Sequence, residues 1–379
     1  MNVASISDFR ELARRRLPRM FFDYIDGGSY DEITLRRNVS DMQSVALRQR
    51  VMRDVSKLSL ATELFGRGYS MPVGLGPVGF AGMFARRGET QAARAAARAG
   101  VPFCLSTLGI CGVDEVAAAS SAPIWFQLYM IKDRGVMSEL LARAARLECA
   151  ALVFTLDLPV AGARYRDYRA GMSAPPGVAA SVRRAWQGLT HPAWLWDVYV
   201  GGGPHAFGNL AGAVKDAKGF GRLAAWVAAN FDATLTWADL GWVRERWKGP
   251  IIVKGILDAE DAREAVASGV DGLVVSNHGG RQLDGASSSI AALPRVADIV
   301  AGRATVLMDG GVRSGLDVLR ALASGAQACL LGRAWAYALA AQGEAGVARA
   351  LEIIRAELAV AMALTGCTDV RAASRDLLV

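Results

Sequence analysis

Metal-binding and redox-active cysteine motifs are lacking in this sequence of 379 residues. The three histidines, His191, His205 and His278, lie far apart, and none belongs to an HExxH pattern. Five cysteines occur without a CxxC pair, at Cys104, Cys111, Cys149, Cys329 and Cys367. Because a zinc site needs closely spaced ligands, no metal site is predicted. Three of the cysteines lie in apolar runs, which predicts buried, reduced thiols and a reducing compartment.

Membrane-spanning and secretory segments are also lacking. No run of about 18 apolar residues occurs, and the first 28 residues have no apolar stretch after their arginines, so neither a spanning helix nor a signal peptide is predicted. Lysine and arginine outnumber aspartate and glutamate by 43 to 36, giving a net charge of +7. No nucleic-acid-binding motif accompanies this charge, so nucleic acid is excluded. An anionic membrane surface or a small anionic substrate is favoured instead.

Eight short apolar runs alternate with alanine-rich, helix-like segments from about residue 72 onward. The runs are residues 73–79, 101–106, 124–129, 151–157, 251–255, 272–277, 304–310 and 328–333. Strands that alternate with helices pair in parallel, and continuously apolar strands are buried on both faces. The pattern predicts one α/β domain over residues 1–379, a (β/α)₈ TIM barrel with an N-terminal helical extension at 1–70. An open doubly wound sheet is the alternative, but no GxGxxG follows the first run.

A long insertion follows the fourth run. Consecutive runs start 21 to 32 residues apart, except for 100 residues between the fourth and fifth. The insertion, about residues 159–237, holds several basic residues and five tryptophans, Trp186, Trp194, Trp196, Trp226 and Trp237. Tryptophans near Arg183, Arg184, Lys215 and Lys218 suit an anionic membrane surface, which predicts a docking segment at 177–215. Packing of these tryptophans on the barrel or an oligomer interface is the alternative.

The runs turn polar where they end. Residues two apart in a strand face the same side, so Gln127 with Tyr129, Thr155 with Asp157, and Ser276 with His278 are expected to point together. Lys254 ends the fifth run, and a buried lysine needs a partner. In a barrel these carboxyl ends meet at one mouth, where active sites lie.

Glycines and arginines follow the last two runs, in DGGVR and LGR. Exposed backbone N–H groups and a helix N-terminus at this place in a barrel bind phosphate, so a phosphate-bearing cofactor is predicted. Alone, these glycines are also compatible with ordinary turns.

A histidine at a strand end suggests acid-base chemistry. His278 has the right ordinary pKa to accept a proton near neutral pH, and Asp157 could fix its tautomer. Arg281 and Arg164 could clamp a carboxylate bidentately. Together they predict an anionic hydroxy acid as substrate; a core histidine with solvated arginines is the alternative.

The segments SNHGGRQLDG, FFDYIDGG, GPVGFAGM, WFQLY, VFTLD, GARYRDYR, VKGILD and DGGVRSGLDV closely resemble the FMN-dependent L-2-hydroxy acid dehydrogenase and oxidase family. The resemblance covers essentially the whole chain. It implies an FMN-bearing barrel in which His278 is the base, Asp157 its partner, and Tyr129 the residue that bonds the substrate hydroxyl. Tyr24, Arg164 and Arg281 would hold the substrate carboxylate. Lys254 would lie beside the flavin and stabilise its negative charge.

The resemblance also assigns the remaining cofactor positions. Pro77, Val78 and Gly79 match the loop whose backbone faces the flavin, and Ser106, Gln127, Thr155 and Ser276 match flavin-contacting positions. The positions that the resemblance assigns to the ribityl chain and the phosphate are Asp309, Gly311, Arg313, Gly332 and Arg333.

Within the family, the chain looks most like the bacterial respiratory members. That likeness implies oxidation of L-lactate to pyruvate, a quinone as electron acceptor, peripheral contact with the cytoplasmic face of the cell membrane, and a homo-oligomer, by resemblance a tetramer. A soluble oxygen-using 2-hydroxy acid oxidase, an (S)-mandelate dehydrogenase and a catalytically silent flavin- or membrane-binding protein are the alternatives. Gly79 and Leu108 occupy the position where substrate size is set, and they are compatible with lactate or mandelate.

Overall fold

A barrel of eight parallel strands forms the centre of the computed structural model, which describes residues 2–173, 177–211, 226 and 229–379. The strands are β3 (Val73–Leu75), β4 (Cys104–Ser106), β5 (Trp125–Leu128), β6 (Ala151–Thr155), β7 (Ile251–Ile256), β8 (Gly272–Val275), β9 (Thr305–Met308) and β10 (Ala328–Leu331). Neighbours in sequence are neighbours in the sheet, and β10 pairs with β3. A bridge between Leu75 and Phe103 joins β3 to β4, so the barrel closes. The predicted (β/α)₈ fold is confirmed.

The strands are almost wholly buried because both of their faces are covered. Side chains from alternate positions, such as Ala151 and Val153, fill the barrel interior with Trp125 and Ile252. The intervening Leu152 and Phe154 pack outward, against the helical layer. This two-sided burial explains the continuous apolar runs of the sequence.

Thirteen labelled helices accompany the strands in the described part of the chain. They are α1 (Ile6–Arg16), α2 (Arg19–Asp26), α3 (Ile33–Ser44), α4 (Gly88–Ala99), α5 (Val113–Ala119), α6 (Arg134–Arg146), α7 (Tyr165–Ala170), α8 (Val178–Leu189), α9 (Asp239–Arg246), α10 (Ala259–Ala267), α11 (Ser289–Val300), α12 (Gly315–Ala323) and α13 (Arg333–Thr365). Side chains of Asp133, Asp258, Ser288 and Ser314 cap α6, α10, α11 and α12 by accepting backbone N–H bonds.

The N-terminal extension holds α1 to α3 and a short antiparallel hairpin, β1 (Thr62–Leu64) and β2 (Arg67–Tyr69). Leu64, Phe65 and Tyr69 of this hairpin pack against the interior core of the barrel. The indole N–H of Trp125 donates to the hydroxyl of Tyr69 at 3.3 Å. The extension therefore contains a hairpin that the helical prediction did not include.

The insertion between β6 and β7 begins with α7 and α8. A short helical turn, Pro192–Trp194, follows and continues as one stretch of π-helix, Leu195–Val200. The predicted docking segment 177–215 lies in the described residues up to 211. Its last four residues, including Lys215, and the predicted basic residue Lys218 lie outside them.

Candidate active site

A cavity of about 880 Å³ lies where the carboxyl ends of the strands meet. Its volume falls in the range of small-molecule and cofactor sites. Of the residues predicted for the site, those that line it are Tyr24, Pro77, Val78, Gly79, Ser106, Tyr129, Thr155, Arg164, Lys254, His278, Arg281, Asp309, Gly311, Arg313, Gly332 and Arg333. Asp157, Gln127 and Ser276 lie behind this wall and contact residues that line it.

His278 lies between Asp157 and Tyr129. Its Nδ1 is 2.9 Å from Oδ1 of Asp157, and its Nε2 is 3.4 Å from the hydroxyl of Tyr129. The backbone of His278 is left-handed, with φ at +57°, and its N–H donates to Oγ of Ser276 at 3.0 Å. This conformation costs a non-glycine residue about 1–2 kcal/mol. It directs the imidazole toward Asp157 and the cavity.

The carboxylate of Asp157 has room beside β7 because residue 255 is glycine. The strand register shifts between Lys254 and Ile256, and Gly255 has φ at +108°. A Cβ atom at this position would lie 2.5 Å from Cβ of Asp157. A side chain at residue 255 would therefore displace Asp157.

Burial and charge set the protonation of this group. Burial lowers the pKa of His278 and outweighs the charge of Asp157, which raises it. Burial raises the pKa of Asp157, but the charge and the hydrogen bond of His278 have the larger, opposite effect. The pKa of Asp157 is therefore lowered. At neutral pH the pair is therefore a carboxylate and a neutral imidazole. With its Nδ1 proton donated to Asp157, His278 presents an unprotonated Nε2 toward the cavity.

Tyr129 remains a phenol. Burial and the charge of Asp157 raise its pKa above the ordinary value. Its hydroxyl can therefore donate a hydrogen bond to an oxygen in the cavity.

Lys254 is a buried cation. Its Nζ donates to Oγ of Ser276 at 2.8 Å and lies 3.0 Å from Oδ2 of Asp309. Burial lowers the pKa of Lys254, but Asp309 and Asp157 outweigh this effect and raise it. The other oxygen of Asp309, Oδ1, is buried with no hydrogen-bond partner among the described residues.

Polar side chains of β4, β5 and β6 form a hydrogen-bonded row. Oγ of Ser106 donates to Oε1 of Gln127 at 3.0 Å, and Nε2 of Gln127 donates to Oγ1 of Thr155 at 3.1 Å. Gln127 is fully buried and orients the two hydroxyl groups that line the cavity.

Arg281 and Arg164 bring two positive charges to the same wall. Nη1 of Arg281 donates to the carbonyls of Tyr24 and Gly27, and its guanidinium lies 4.7 Å from the ring centre of Tyr24. Nε of Arg164 donates to the carbonyl of Arg281 at 3.4 Å. Burial and the charge of Arg281 lower the pKa of Arg164. Two close guanidinium groups favour an anion between them.

Arg333 and a glycine turn form the end of the cavity beside α13, where Arg333 shares the carbonyl of Gly27 with Arg281. Arg333 donates to the carbonyls of Ile25, Gly27 and Gly279 at 2.7–2.9 Å. Gly311 has φ at +93°, and a Cβ there would lie 2.0 Å from the carbonyl oxygen of Asn38. Arg333 is also the first residue of α13, whose N-terminus therefore lies at this end. These groups suit an anion.

The sequence prediction missed several residues of the cavity. Asp167 is a buried carboxyl group, and burial raises its pKa. Its Oδ2 lies 3.9 Å from Nη1 of Arg164. Its place in the charged run GARYRDYR could have indicated it. Tyr168 belongs to the same run, whereas no motif marks Met172 and Phe231, which add apolar lining.

The described insertion exposes an apolar stripe. Val178, Val182, Trp186 and Leu189 follow helical spacing on α8 and are 62–83% exposed. The guanidinium groups of Arg183 and Arg184 donate to backbone carbonyls at the end of α7.

The tryptophans of the insertion differ in how far they are buried. Trp196 is 72% exposed, but Trp194 is buried against Phe21 with ring centres 5.2 Å apart. Packing on the rest of the protein therefore describes Trp194, and membrane docking stays a prediction for the exposed Trp196. Among the described helices, none is long and apolar enough to cross a membrane.

The chain is similar to known proteins over its whole length. Residues 13–379 match the family model described as FMN-dependent dehydrogenase. An L-lactate dehydrogenase from Caulobacter vibrioides is 58% identical over 100% of this chain and 98% of its own length. One from Ectopseudomonas mendocina is 54% identical over 100% of this chain and 99% of its own length.

Solved structures are similar over the same length. The monotopic membrane protein (S)-mandelate dehydrogenase has a TM-score of 0.94 and 36% identity, and the match covers 100% of both chains. A mandelate oxidase with (S)-4-hydroxymandelic acid has a TM-score of 0.85 and 38% identity, with 98% of this chain and 97% of that chain covered.

Proposed function

Because the chain belongs to the family of FMN-dependent dehydrogenases, we propose that it oxidises an L-2-hydroxy acid, L-lactate first, to the 2-oxo acid. The observation that carries this proposal is the position of His278. Its Nε2, unprotonated and supported by Asp157, lies on the same cavity as Arg164 and Arg281. A base beside an anion-binding wall is what removal of a proton from a hydroxy acid requires.

The cavity fits FMN. Asp309 leaves one buried oxygen without a partner among the described residues, and Lys254 supplies a buried cation beside it. We assign the phosphate and ribityl chain to the groups at the Arg333 end, namely Asp309, Gly311, Arg313, Gly332 and Arg333. The ring system is assigned to Pro77, Val78, Gly79, Ser106, Gln127, Thr155, Lys254 and Ser276. A cation near the ring stabilises negative charge on it.

Tyr24, Arg164 and Arg281 would hold the carboxylate of the substrate. The guanidinium of Arg281 is already fixed by two carbonyls and the ring of Tyr24. Its orientation is therefore set before substrate binds, which reduces the ordering cost of binding. Tyr129, as a phenol, would donate to the substrate oxygen.

Oxidation of the hydroxyl to a carbonyl removes two protons and two electrons. His278 takes one proton at Nε2, and Asp157 stabilises the imidazolium that results. FMN, when bound, supplies the acceptor for the electrons and the remaining proton. His278 and Asp157 are largely buried, which keeps the charge of Asp157 effective.

L-Lactate is the first substrate to test because relatives at 54–58% identity are named L-lactate dehydrogenase. (S)-Mandelate is the second candidate. The mandelate enzymes are 36–38% identical, and Gly79 has no side chain at the wall that it shares with Leu108 and Tyr24.

We further propose a membrane quinone as the electron acceptor and peripheral contact with the cytoplasmic face of the membrane. The exposed stripe on α8 supports this contact, because large apolar side chains beside arginines suit a lipid interface. The similar (S)-mandelate dehydrogenase is described as monotopic. A homotetramer is proposed from family resemblance, and a mass measurement in solution tests it.

The deciding experiment adds L-lactate, D-lactate or (S)-mandelate to the purified yellow protein under exclusion of oxygen. Bleaching of the flavin by L-lactate and not by D-lactate supports the proposal. Bleaching by mandelate alone moves the substrate to the second candidate. Peroxide yield, compared with reduction of a quinone analogue, separates an oxidase from a quinone-linked dehydrogenase. Full turnover in His278→Ala would contradict the role of the base. Absence of turnover with every 2-hydroxy acid tested would favour a catalytically silent protein.

A further inference from the structure

Arg166 connects two elements that bring side chains to the cavity. It lies on α7, between Arg164 and Asp167, which both line the cavity. Its guanidinium reaches α2, the helix that carries Tyr24. Arg166 therefore links the wall that holds Arg164 to the wall that holds Tyr24.

The contact with α2 uses one guanidinium for two carboxylates. Nε and Nη2 of Arg166 donate to Oδ1 of Asp23 at 3.0 and 2.5 Å. Nη1 donates to Oδ2 of Asp26 at 2.9 Å and lies 3.5 Å from Oε1 of Glu32. Asp23 and Asp26 stand on either side of Tyr24 in the sequence, so the contact fixes α2 at two points around this tyrosine.

The two carboxylates are buried, and Asp26 is anchored on both sides. It accepts from Nη2 of Arg10 at 2.9 Å and from the hydroxyl of Tyr337 at 2.7 Å. Burial raises the pKa of Asp26, but Arg10, Tyr337 and Arg166 outweigh it and hold that pKa well below its usual range. Asp26 is thus a fixed anion to which Arg166 attaches α7.

We propose that Arg166 is a positioning residue for the substrate carboxylate. This inference rests on the proposed oxidation of a 2-hydroxy acid. Tyr24 and Arg164 bind one carboxylate only if the distance between α2 and α7 is kept. The planar guanidinium can hold two carboxylates at once, whereas a lysine ammonium offers a single point of charge.

The variants are Arg166→Lys and Arg166→Gln, with Arg19→Gln as matched control. Arg19 also pairs with Asp23, at 3.1 Å, but it is exposed and lies on α2 itself. Each protein is measured for FMN content, thermal unfolding, KM and kcat with L-lactate, and Kd of pyruvate, followed by its effect on the flavin spectrum. In the Arg166 variants, a displacement of Tyr24 relative to Arg164 by a fraction of an ångström is expected to raise KM and the pyruvate Kd about tenfold or more. Because His278 and Asp157 are untouched, kcat is expected to change less than about threefold.

A second variant keeps the test informative if Arg166→Gln unfolds. Asp23→Asn keeps the shape of the acceptor and removes one charge, and an intermediate rise in KM is expected. In the double variant Arg166→Lys/Tyr24→Phe, the losses should be less than additive, because Tyr24 is already misplaced in the single variant.

Two results would overturn the inference. One is a fall in kcat with KM and pyruvate Kd unchanged; the other is Arg166→Lys behaving like Arg19→Gln. Either result, obtained while L-lactate bleaches the wild-type flavin, rejects the role of Arg166 and leaves the proposed function standing. Absence of wild-type bleaching by any 2-hydroxy acid rejects the proposed function itself.

Discussion

Nδ1 of His278 lies 2.9 Å from Oδ1 of Asp157, although the two residues belong to segments far apart in sequence. Asp157 follows β6, and His278 follows β8. The strand between them, β7, makes space for the contact at Gly255. A pair held in this way keeps the proton on Nδ1 and leaves Nε2 free to accept another.

Asp157→Asn is expected to lower the rate of flavin reduction by L-lactate by about 100-fold or more, the usual range for acid-base groups. The amide cannot stabilise the imidazolium by charge. Anaerobic stopped-flow absorbance measures the rate. Asp298→Asn is the control, because Asp298 is exposed and its carboxylate pairs with Arg375. Equal rates in wild type and Asp157→Asn would contradict the assignment.

The acid limb of kcat/KM should lie below pH 6.5, the ordinary histidine value, because burial lowers the pKa of His278. The reaction needs neutral His278, so kcat/KM falls as the pH decreases through that lowered pKa. Asp157 opposes the shift, and in Asp157→Asn the limb should move to still lower pH. Activity profiles between pH 4.5 and 8 test this. A limb above pH 6.5 in wild type is the contrary result.

Lys254→Met is expected to destabilise the protein by about 3–5 kcal/mol, because it leaves the largely buried carboxylate of Asp309 without its cation. Adding Asp309→Asn should recover part of that loss. Thermal unfolding and FMN content measure both effects. Lys248→Met, at an exposed position, serves as control. If the double variant were less stable than Lys254→Met, the pair would not be coupled as described.

Gly79→Ala should reduce kcat/KM for (S)-mandelate more than for L-lactate. The added Cβ would lie 3.3 Å from the hydroxyl of Tyr24 and 3.4 Å from Cβ of Leu108. It narrows the cavity by about one methyl group, which is worth roughly tenfold in discrimination. Gly68→Ala, which meets no atom within 4 Å, is the control. Equal losses for both substrates would show that this wall does not set substrate size.

Val182→Asp/Trp186→Asp should weaken binding to anionic lipid vesicles more than about tenfold. Each large apolar side chain that enters a lipid interface contributes about 1.5–3 kcal/mol. Both side chains are more than 60% exposed on α8. Vesicle flotation measures binding, and Met52→Asp, at a residue 99% exposed elsewhere, is the control. Unchanged flotation with FMN retained would reject the docking assignment.

Each of the eight apolar runs coincides with or overlaps a strand, because two-sided burial produces a continuous apolar pattern. The pattern predicts the ends of the strands less accurately than their positions in the chain. The first run was extended to residue 79, but β3 ends at Leu75, and Pro77, which lacks an N–H, follows in the loop. Alternation predicts that Thr155 and Asp157 point together. Thr155 lines the cavity, whereas Asp157, which follows the end of β6, contacts His278.

The pairing of Asp157 with His278 is predictable from two strand ends, but other contacts between distant parts of the chain are not. Arg166 meets Asp23 and Asp26 from more than 100 residues away, and local patterns carry no information about such partners. The same holds for the approach of Gly255 to Asp157. A glycine inside a strand indicates a bulge or a close contact, but it does not say with which residue.

Ile251, the first residue of β7, pairs with Leu152 of β6, so the chain that leaves β6 at Thr155 re-enters the barrel on the adjacent strand, about 10 Å back along the strand direction. Lengthening a loop between such fixed ends costs little, since closure entropy grows only slowly with length. The strand ends that bear Asp157 and Lys254 therefore tolerate wide variation in the chain between them. Changes in the length of this segment are compatible with the site only where they spare Arg164, Asp167 and Phe231, which belong to the insertion and line the cavity.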